Sequence, residues 1–207
     1  MAIVLPAHQD AYAKAAELLA SGDVTALPTE TVYGLAARAD NANAVSKIYA
    51  IKGRRKSNPL TICVSSLKQA QMIADVPPLA RTLMAAFWPG PLTIVLPLKA
   101  GAPICAAASA GLGTVGLRMP DADWVSSIDM PLVLPSANTS GQPSPRTAQD
   151  VEADLGAKIP LIIDGGPSKY GTDSTVISVD GGTAKLLRAG AIKANDFAPY
   201  SIDWLAP

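Results

Sequence analysis

The sequence predicts an α/β fold in which strands of both orientations share one sheet. Segments with helical spacing alternate with short β-rich runs along most of the chain. Several links between those runs are too short for helical crossovers, so some neighbouring strands must be antiparallel. A content of 49% hydrophobic against 16% charged residues allows a sizeable core and excludes global disorder. With 207 residues and no fixed-period repeat, low-complexity tract or composition break, the expected organisation is a single domain over 1–207.

The first helix is expected over 10–20, where Ala11, Ala15, Leu18 and Leu19 share a face, with Asp10 as N-cap and Gly22 as the stop. A short strand at 24–27 follows, and helical spacing returns over 43–51 through Val45, Ile48 and Ile51. A strand at 60–64 precedes helices at 66–74 and 78–87. The near-continuous apolar run at 92–98 predicts a strand covered on both faces. Further strands are expected at 114–117, 132–134, 160–163, 175–179 and 185–187, with one more helix at 147–155.

Seventeen basic and seventeen acidic residues cancel, so any electrostatic function must arise from local clustering. Cys63 and Cys105 form no C-x-x-C pair, which excludes a thiolate zinc site or a disulfide framework and points to a reducing cytoplasm. The N-terminal apolar stretch ends at Pro6, too short for a signal peptide, and no later run predicts a membrane span.

Local motifs divide into those whose context fails and those that suggest chemistry. Residues 111–116 spell G-x-G-x-x-G, but a strand-like segment and not a helix follows, so a turn before a strand is expected. Residues 166–172 have P-loop glycine spacing with Thr172 in the place of the lysine, which favours a turn between strands. His8 is the only histidine and no G-x-S-x-G elbow occurs, so nucleophilic triads and histidine metal sites lack their parts. Asp164, Asp173 and Glu30 are oxygen donors of the kind that help hold Mg²⁺ on a phosphate ligand. The run Lys52-Gly53-Arg54-Arg55-Lys56 reads either as solvated charge or as a polyphosphate grip beside the hydroxyls of Thr29 and Thr31. Solvated cations contribute little to stability, so Lys52 and Arg54 are expected to serve activity and not folding. Residues 135–141, P-S-A-N-T-S-G, follow an apolar strand and read equally as a capped turn or as ligand groups at a strand's carboxyl end.

Taken together, seven blocks resemble the threonylcarbamoyl-AMP synthase family, the YrdC-like domain, over residues 27–192. They are P-T-E-T-V-Y-G-L (28–35), K-G-R with N-P-L (52–60), W-P-G-P-L-T (88–93), T-V-G-L-R-M-P (114–120), P-S-A-N-T-S-G with S-P (135–145), D-G-G with G-T-D-S-T-V (164–176) and L-R-A-G-A-I (187–192). The resemblance implies a single-domain, twisted mixed sheet with flanking helices and an open concave cleft. It implies an enzyme, a nucleotidyltransferase that joins L-threonine, bicarbonate and ATP into L-threonylcarbamoyladenylate and pyrophosphate, for the N6-threonylcarbamoyladenosine modification of tRNA. Catalysis then rests on positioning and preorganised electrostatics, which need no histidine base.

Carried over by residue, Thr31, Cys63, Arg118, Ser136 and Ser174 match positions for L-threonine. Lys52, Arg54, Asn58, Thr114, Asn138, Ser144 and Arg188 match positions for ATP, with Lys52 and Arg54 as the catalytic pair. ATP is a substrate and brings Mg²⁺; no tightly bound metal and no membrane partner are implied. The chain resembles the family's short form, so transfer onto tRNA falls to other proteins. Cys63 stands where many members carry a threonine-contacting histidine, Arg55 where proline is usual, Asp173 where glutamate is common and Ala189 where proline is frequent. The alternatives are an RNA-binding module on residues 52–56, with weak RNA binding also open to the enzyme, and a carbamoyl-transfer domain. Zero net charge and 5% aromatic residues weigh against the first, and the chain's length against the second.

Overall fold

Small residues decide how this sheet is packed. The computed structural model describes residues 1–200 and 203–204; the expected domain span of 1–207 also takes in 201, 202 and 205–207, which lie outside the described residues. Along the chain come β1 (Ile3–Pro6), α1 (Gln9–Ala20), β2 (Thr25–Leu27), β3 (Gly34–Arg38), α2 (Ala42–Lys52), β4 (Ile62–Cys63), α3 (Leu67–Ile73), α4 (Pro78–Phe87), β5 (Leu92–Pro97), β6 (Thr114–Arg118), β7 (Leu132–Val133), α5 (Ala148–Leu155), β8 (Leu161–Asp164), β9 (Thr175–Asp180), β10 (Thr183–Arg188) and β11 (Asp203–Trp204). The described strands join one sheet in the order β1-β8-β2-β3-β7-β4-β6-β5-β9-β10-β11. Its pairs are mixed as expected: β1 with β8, β4 with β6 and β5 with β9 run parallel, whereas β2–β3, β5–β6 and β9–β10 are antiparallel.

Strand alternation sends successive side chains to opposite faces. Leu35 and Ala37 of β3 enter the larger core with Val45 and Ile48 of α2, while Ala36 enters a smaller core with Ala11, Ala15 and Leu19 of α1. The same division separates Ile62 from Cys63, Val133 from Leu132, and Ile162 from Leu161 and Ile163. The centre of the sheet is therefore covered on both faces. Among the described residues no helix is long and apolar enough to cross a membrane.

Several expectations are corrected. β3, G-L-A-A-R, was not expected as a strand because alanine has low β-propensity; burial on both faces overrides it, and the small side chains let helices approach closely. β1 was also unexpected, being a four-residue edge strand whose side chains are only partly buried. The N-cap of α1 is His8, whose Nδ1 accepts from the Ala11 amide at 3.3 Å, and not Asp10, which lies inside the first turn. Ser66 and Thr147, expected as helical residues, are the N-caps of α3 and α5. β5 is covered on both faces as expected: Leu92, Ile94 and Leu96 enter the larger core, and on the other face Thr93, 1% exposed, pairs with Ser174, Oγ1 to Oγ, at 2.8 Å. The 111–116 motif is the expected turn into β6, with Gly111 at φ 73°, and 166–172 connects β8 to β9.

Residues 190–192 run directly behind the start of β9. Ala191 N donates to Asp173 O at 3.1 Å, Ile192 N to Thr175 Oγ1 at 3.0 Å and Thr175 Oγ1 to Ile192 O at 2.8 Å. A Cβ on Gly190 would lie 2.5 Å from the Asp173 oxygen and from backbone atoms of Ser174 and Thr175. Gly190→Ala is therefore expected to destabilise the fold by about 1–3 kcal/mol through overpacking, read as a lowered midpoint in denaturant unfolding; an unchanged midpoint would show that the two segments separate freely.

Candidate functional site

β4 and β6 are parallel, and their last residues, Cys63 and Arg118, are register partners at the carboxyl ends of the two strands. Clefts of open α/β sheets form at such ends. Arg118 is buried there: Nη2 donates to Thr31 Oγ1 at 2.8 Å and lies 2.8 Å from Glu30 Oε1, and Nε donates to Gly90 O at 3.2 Å. The W-P-G-P segment thus acts as a strap on Arg118, with Gly90 N in turn donating to Met119 O at 2.8 Å. Cys63 is 4% exposed and packs in the smaller core with Trp124 and Leu132 while its residue also borders the cavity. Burial pushes its thiol up to about 12, against the opposing pull of Arg118, so it stays a neutral thiol and no nucleophile.

The run 52–56 is not one solvated patch, which corrects the expectation that its cations leave stability untouched. Arg55 and Lys56 are exposed, Arg54 is half-buried, and Lys52 is only 2% exposed. Lys52 closes α2, and Gly53 at φ 59° turns the chain away. The Lys52 ammonium donates to Ser136 O, to Asn138 O at 2.6 Å and to Asn138 Oδ1 at 3.4 Å, and Ser140 N donates to Lys52 O at 2.8 Å. Asn138 Nδ2 continues the lattice to Gln142 O at 2.7 Å, and Asp154 receives both Thr139 N and Thr139 Oγ1 at 2.6 Å. One ammonium, with all three donors engaged, thereby shapes the loop 136–142. Its burial, reinforced by Arg54, pulls its pKa down to about 8.

The opposite wall comes from β9, β10 and the loop before β9. Arg188 donates from Nε and Nη2 to Ser174 O and from Nη2 to Ser174 Oγ at 3.0 Å, while its Nη1 meets Asp173 Oδ2 at 3.3 Å. Ser144 Oγ donates to the other Asp173 oxygen at 3.1 Å. Arg54 reaches from below, Nη2 on Pro59 O at 2.9 Å and Nε on Asn58 O at 3.3 Å. Burial, and then the like charge of Arg188, lower the Arg54 pKa, which places two guanidinium groups close enough to repel. Such convergence favours a ligand carrying several negative charges.

Of the twelve residues singled out from sequence, eleven line two adjoining cavities. The first holds Thr31, Cys63, Arg118 and Ser174; the second holds Lys52, Asn58, Asn138 and Ser144; Arg54, Ser136 and Arg188 border both. Thr114 is the exception. It sits exposed at the start of β6, opposite Pro97, four strand residues from Arg118, which at the usual rise per residue is roughly 13 Å along the strand. Sequence reasoning did not single out Thr93, or Glu30 as the partner of Arg118. Asp173, a metal-donor candidate and a departure from the family's glutamate but given no ligand role, borders both cavities. The three carboxylates suggested for Mg²⁺ do not converge: Glu30 faces Arg118, Asp173 faces Arg188 and Ser144, and Asp164 accepts from Gly166 N at 2.9 Å. Among the described residues no group of three or more His, Cys, Asp or Glu is placed to hold a metal ion. His8, spent as a helix cap, borders neither cavity.

Residues 17–190 match the family model Sua5/YciO/YrdC, described as "Telomere recombination". The chain is 44% identical over 193 residues to the threonylcarbamoyl-AMP synthase of Bacillus subtilis (strain 168), covering 91% of this chain and 56% of that relative. It is 43% identical over 183 residues to the threonylcarbamoyl-AMP synthase of Pyrococcus abyssi (strain GE5 / Orsay), covering 86% of this chain and 53% of the relative. The chain thus spans little more than half the length of these relatives. The solved structure of P. abyssi Sua5 complexed with L-threonine superposes with a TM-score of 0.92 at 37% identity, over 99% of this chain and 62% of that one.

Lys52→Met leaves the Ser136 and Asn138 carbonyls without their donor, so it is expected to cost about 1–3 kcal/mol of stability. The loss is also expected to grow between pH 7 and pH 9. Lysine titrates at 10.5 when unperturbed and at about 8 in the folded chain, so between these values the unfolded chain binds one more proton and the lysine's contribution to stability rises with pH. Denaturant unfolding of both proteins at the two pH values measures this; a loss that shrinks toward pH 9 would contradict the buried, depressed ammonium.

Proposed function

The chain belongs to the Sua5/YciO/YrdC family, and on that premise we propose that it joins L-threonine, bicarbonate and ATP into L-threonylcarbamoyl-AMP with release of pyrophosphate. The observation that carries this reading is the convergence of Arg54, Arg118 and Arg188 with Ser136 and Ser174 on one cavity, where three guanidinium groups meet a single lining carboxylate, Asp173, beside hydroxyls. Bicarbonate and the threonine amine form a carbamate with loss of water. A carbamate oxygen attacks the α-phosphorus, the bond to the β-phosphate oxygen breaks, and pyrophosphate leaves with the electron pair.

In this reading Arg118 receives the threonine carboxylate, with Thr31, Ser136, Ser174 and the neutral Cys63 around the rest of the amino acid. Arg54 and Arg188 meet phosphate oxygens, and Asn58, Asn138 and Ser144 line the nucleotide's side. Lys52 shapes the loop beneath them, its donors already engaged. Thr114 is left out of the proposal because of its place on β6. Mg²⁺ would enter on ATP and neutralise phosphate charge; Asp173, the one carboxylate bordering both cavities, fits a hard cation that keeps most of its ligands from water and phosphate. The product passes to proteins that transfer the threonylcarbamoyl group to tRNA, and the chain is assigned to the cytoplasm. Arg55 and Lys56 remain the exposed cations through which weak RNA contact would occur.

Pyrophosphate release from ATP is expected to require both L-threonine and bicarbonate, and equal release without either would overturn the proposal. Arg54→Ala is expected to lower kcat/KM by roughly 100-fold, as loss of one preorganised donor to developing phosphate charge commonly does, with a melting temperature close to wild type. Arg55→Ala should leave turnover within about twofold, since exposed surface charges contribute little. A pair of equal effects at the two positions would return the run to a general basic patch.

A further inference from the structure

Glu30 is the least compensated buried charge beside the cavity. Its side chain is 4% exposed, and its Oε1 lies 2.8 Å from Arg118 Nη2, yet neither carboxylate oxygen accepts a hydrogen bond among the described residues. A buried carboxylate loses its hydration, and an ion pair without further hydrogen bonds does not restore it fully. The arrangement is poorly explained by stability alone. What it does is hold Arg118, whose Nε is already committed to Gly90 O and whose Nη2 also serves Thr31 Oγ1. Nη1 has no partner among the described residues, so it is the nitrogen left for a ligand.

The neighbouring hydroxyls show how far this orientation extends. Thr29 Oγ1 donates its one proton to Val32 O at 2.6 Å, so in the 3.0 Å contact between Thr29 and Thr31 the proton belongs to Thr31. Thr31 also accepts from Arg118. A directed chain therefore runs from Arg118 through Thr31 and Thr29 to the Val32 carbonyl, and what Thr31 still offers is an acceptor lone pair. The direction is set at the far end by the Val32 carbonyl, and Arg118 occupies one of the two Thr31 lone pairs.

We propose that Glu30 is a positioning residue for Arg118: its buried charge fixes the guanidinium so that Nη1 faces the carboxylate of the bound amino acid and Thr31 is held as an acceptor beside it. This inference rests on the reading that the cavity takes L-threonine. Glu30 acts through Arg118 and touches no substrate itself, so its effect should appear in carboxylate recognition and vanish when Arg118 is absent.

The test compares L-threonine with L-threoninamide, which lacks the carboxylate, by calorimetry on the full chain, with a thermal melt for every variant. Glu30→Gln is expected to reduce the preference for threonine over the amide by about tenfold, the scale of one misplaced charged hydrogen bond. Against an Arg118→Met background the same change is expected to have no further effect, as coupling through one residue requires. The double variant, which removes both buried charges, should melt above either single one. A Glu30→Gln protein that keeps or raises the preference overturns the proposal, as does an equal tenfold loss in the Arg118→Met background. If neither Glu30→Gln nor Glu30→Ala melts cooperatively, Glu30 belongs to the fold and the proposal falls. Wild-type protein that neither binds threonine nor releases pyrophosphate with it defeats the functional reading instead, which keeps the two failures distinct.

Discussion

The ammonium of Lys52 is the constraint on which the cavity's shape depends. It ends α2, lies 2% exposed, and organises a loop more than 80 residues away by donating to Ser136 O and Asn138 O. Backbone carbonyls that face inward must find donors, and in this loop a side chain supplies them. Because Ser140 N also returns to Lys52 O, the end of the helix and the loop define each other. Ser136 and Asn138 then project from a frame that cannot be moved without uncovering a buried charge. The hydroxyl and amide groups are thus positioned before any ligand arrives, which is what electrostatic preorganisation requires.

A related economy governs the arginines. Arg54 is oriented by the Asn58 and Pro59 carbonyls, Arg118 in part by the Gly90 carbonyl and Arg188 by the Ser174 carbonyl. A carbonyl orients a guanidinium without cancelling its charge, whereas a carboxylate does both. Arg54 keeps its full positive field for the cavity. Arg118 and Arg188 also meet acids, at Glu30 and Asp173, so the guanidinium with no carboxylate partner is Arg54, which borders both cavities. The two acids differ in kind, because Glu30 is buried and Asp173 sits at a partly exposed rim.

Helices were legible from sequence where apolar spacing recurs, as at α4 and α5, although the capping box of Thr147 and Asp150 was not singled out. β3 was not, since an alanine-rich segment carries no alternation to read; its strand state comes from cores that close on it from both sides. The cover on both faces of β5 was legible, but a threonine inside an apolar run does not reveal that its hydroxyl meets Ser174, 81 residues on. The site residues were legible as motif blocks, and eleven of the twelve meet at the two cavities. Local spacing leaves 135–141 open between a turn and a ligand loop, and leaves 52–56 open between solvated charge and a polyphosphate grip. The partners that bury Lys52 are too distant in sequence for spacing to show them, and Thr114 shows the converse, a motif position that strand geometry carries away from its neighbours.

The strand order has a bearing on how such a chain comes into being. β1 takes its place beside β8, a pairing that joins residues 3–6 to residues 161–164; Thr31 waits for Arg118 across 87 residues and Thr93 for Ser174 across 81. A ribosome releases residues at roughly 5–20 per second, so the N-terminal segment is outside the tunnel for seconds before its partner strand exists. During that interval α1 can pack on Leu27 and Ala36 of the β2–β3 pair but not yet on Leu161 and Ile163 of β8. Nothing resembling the cavity can assemble until the polypeptide has been made to Arg188. Pairings this distant slow folding relative to a chain of local contacts, so the site is among the last parts of residues 1–188 to be completed.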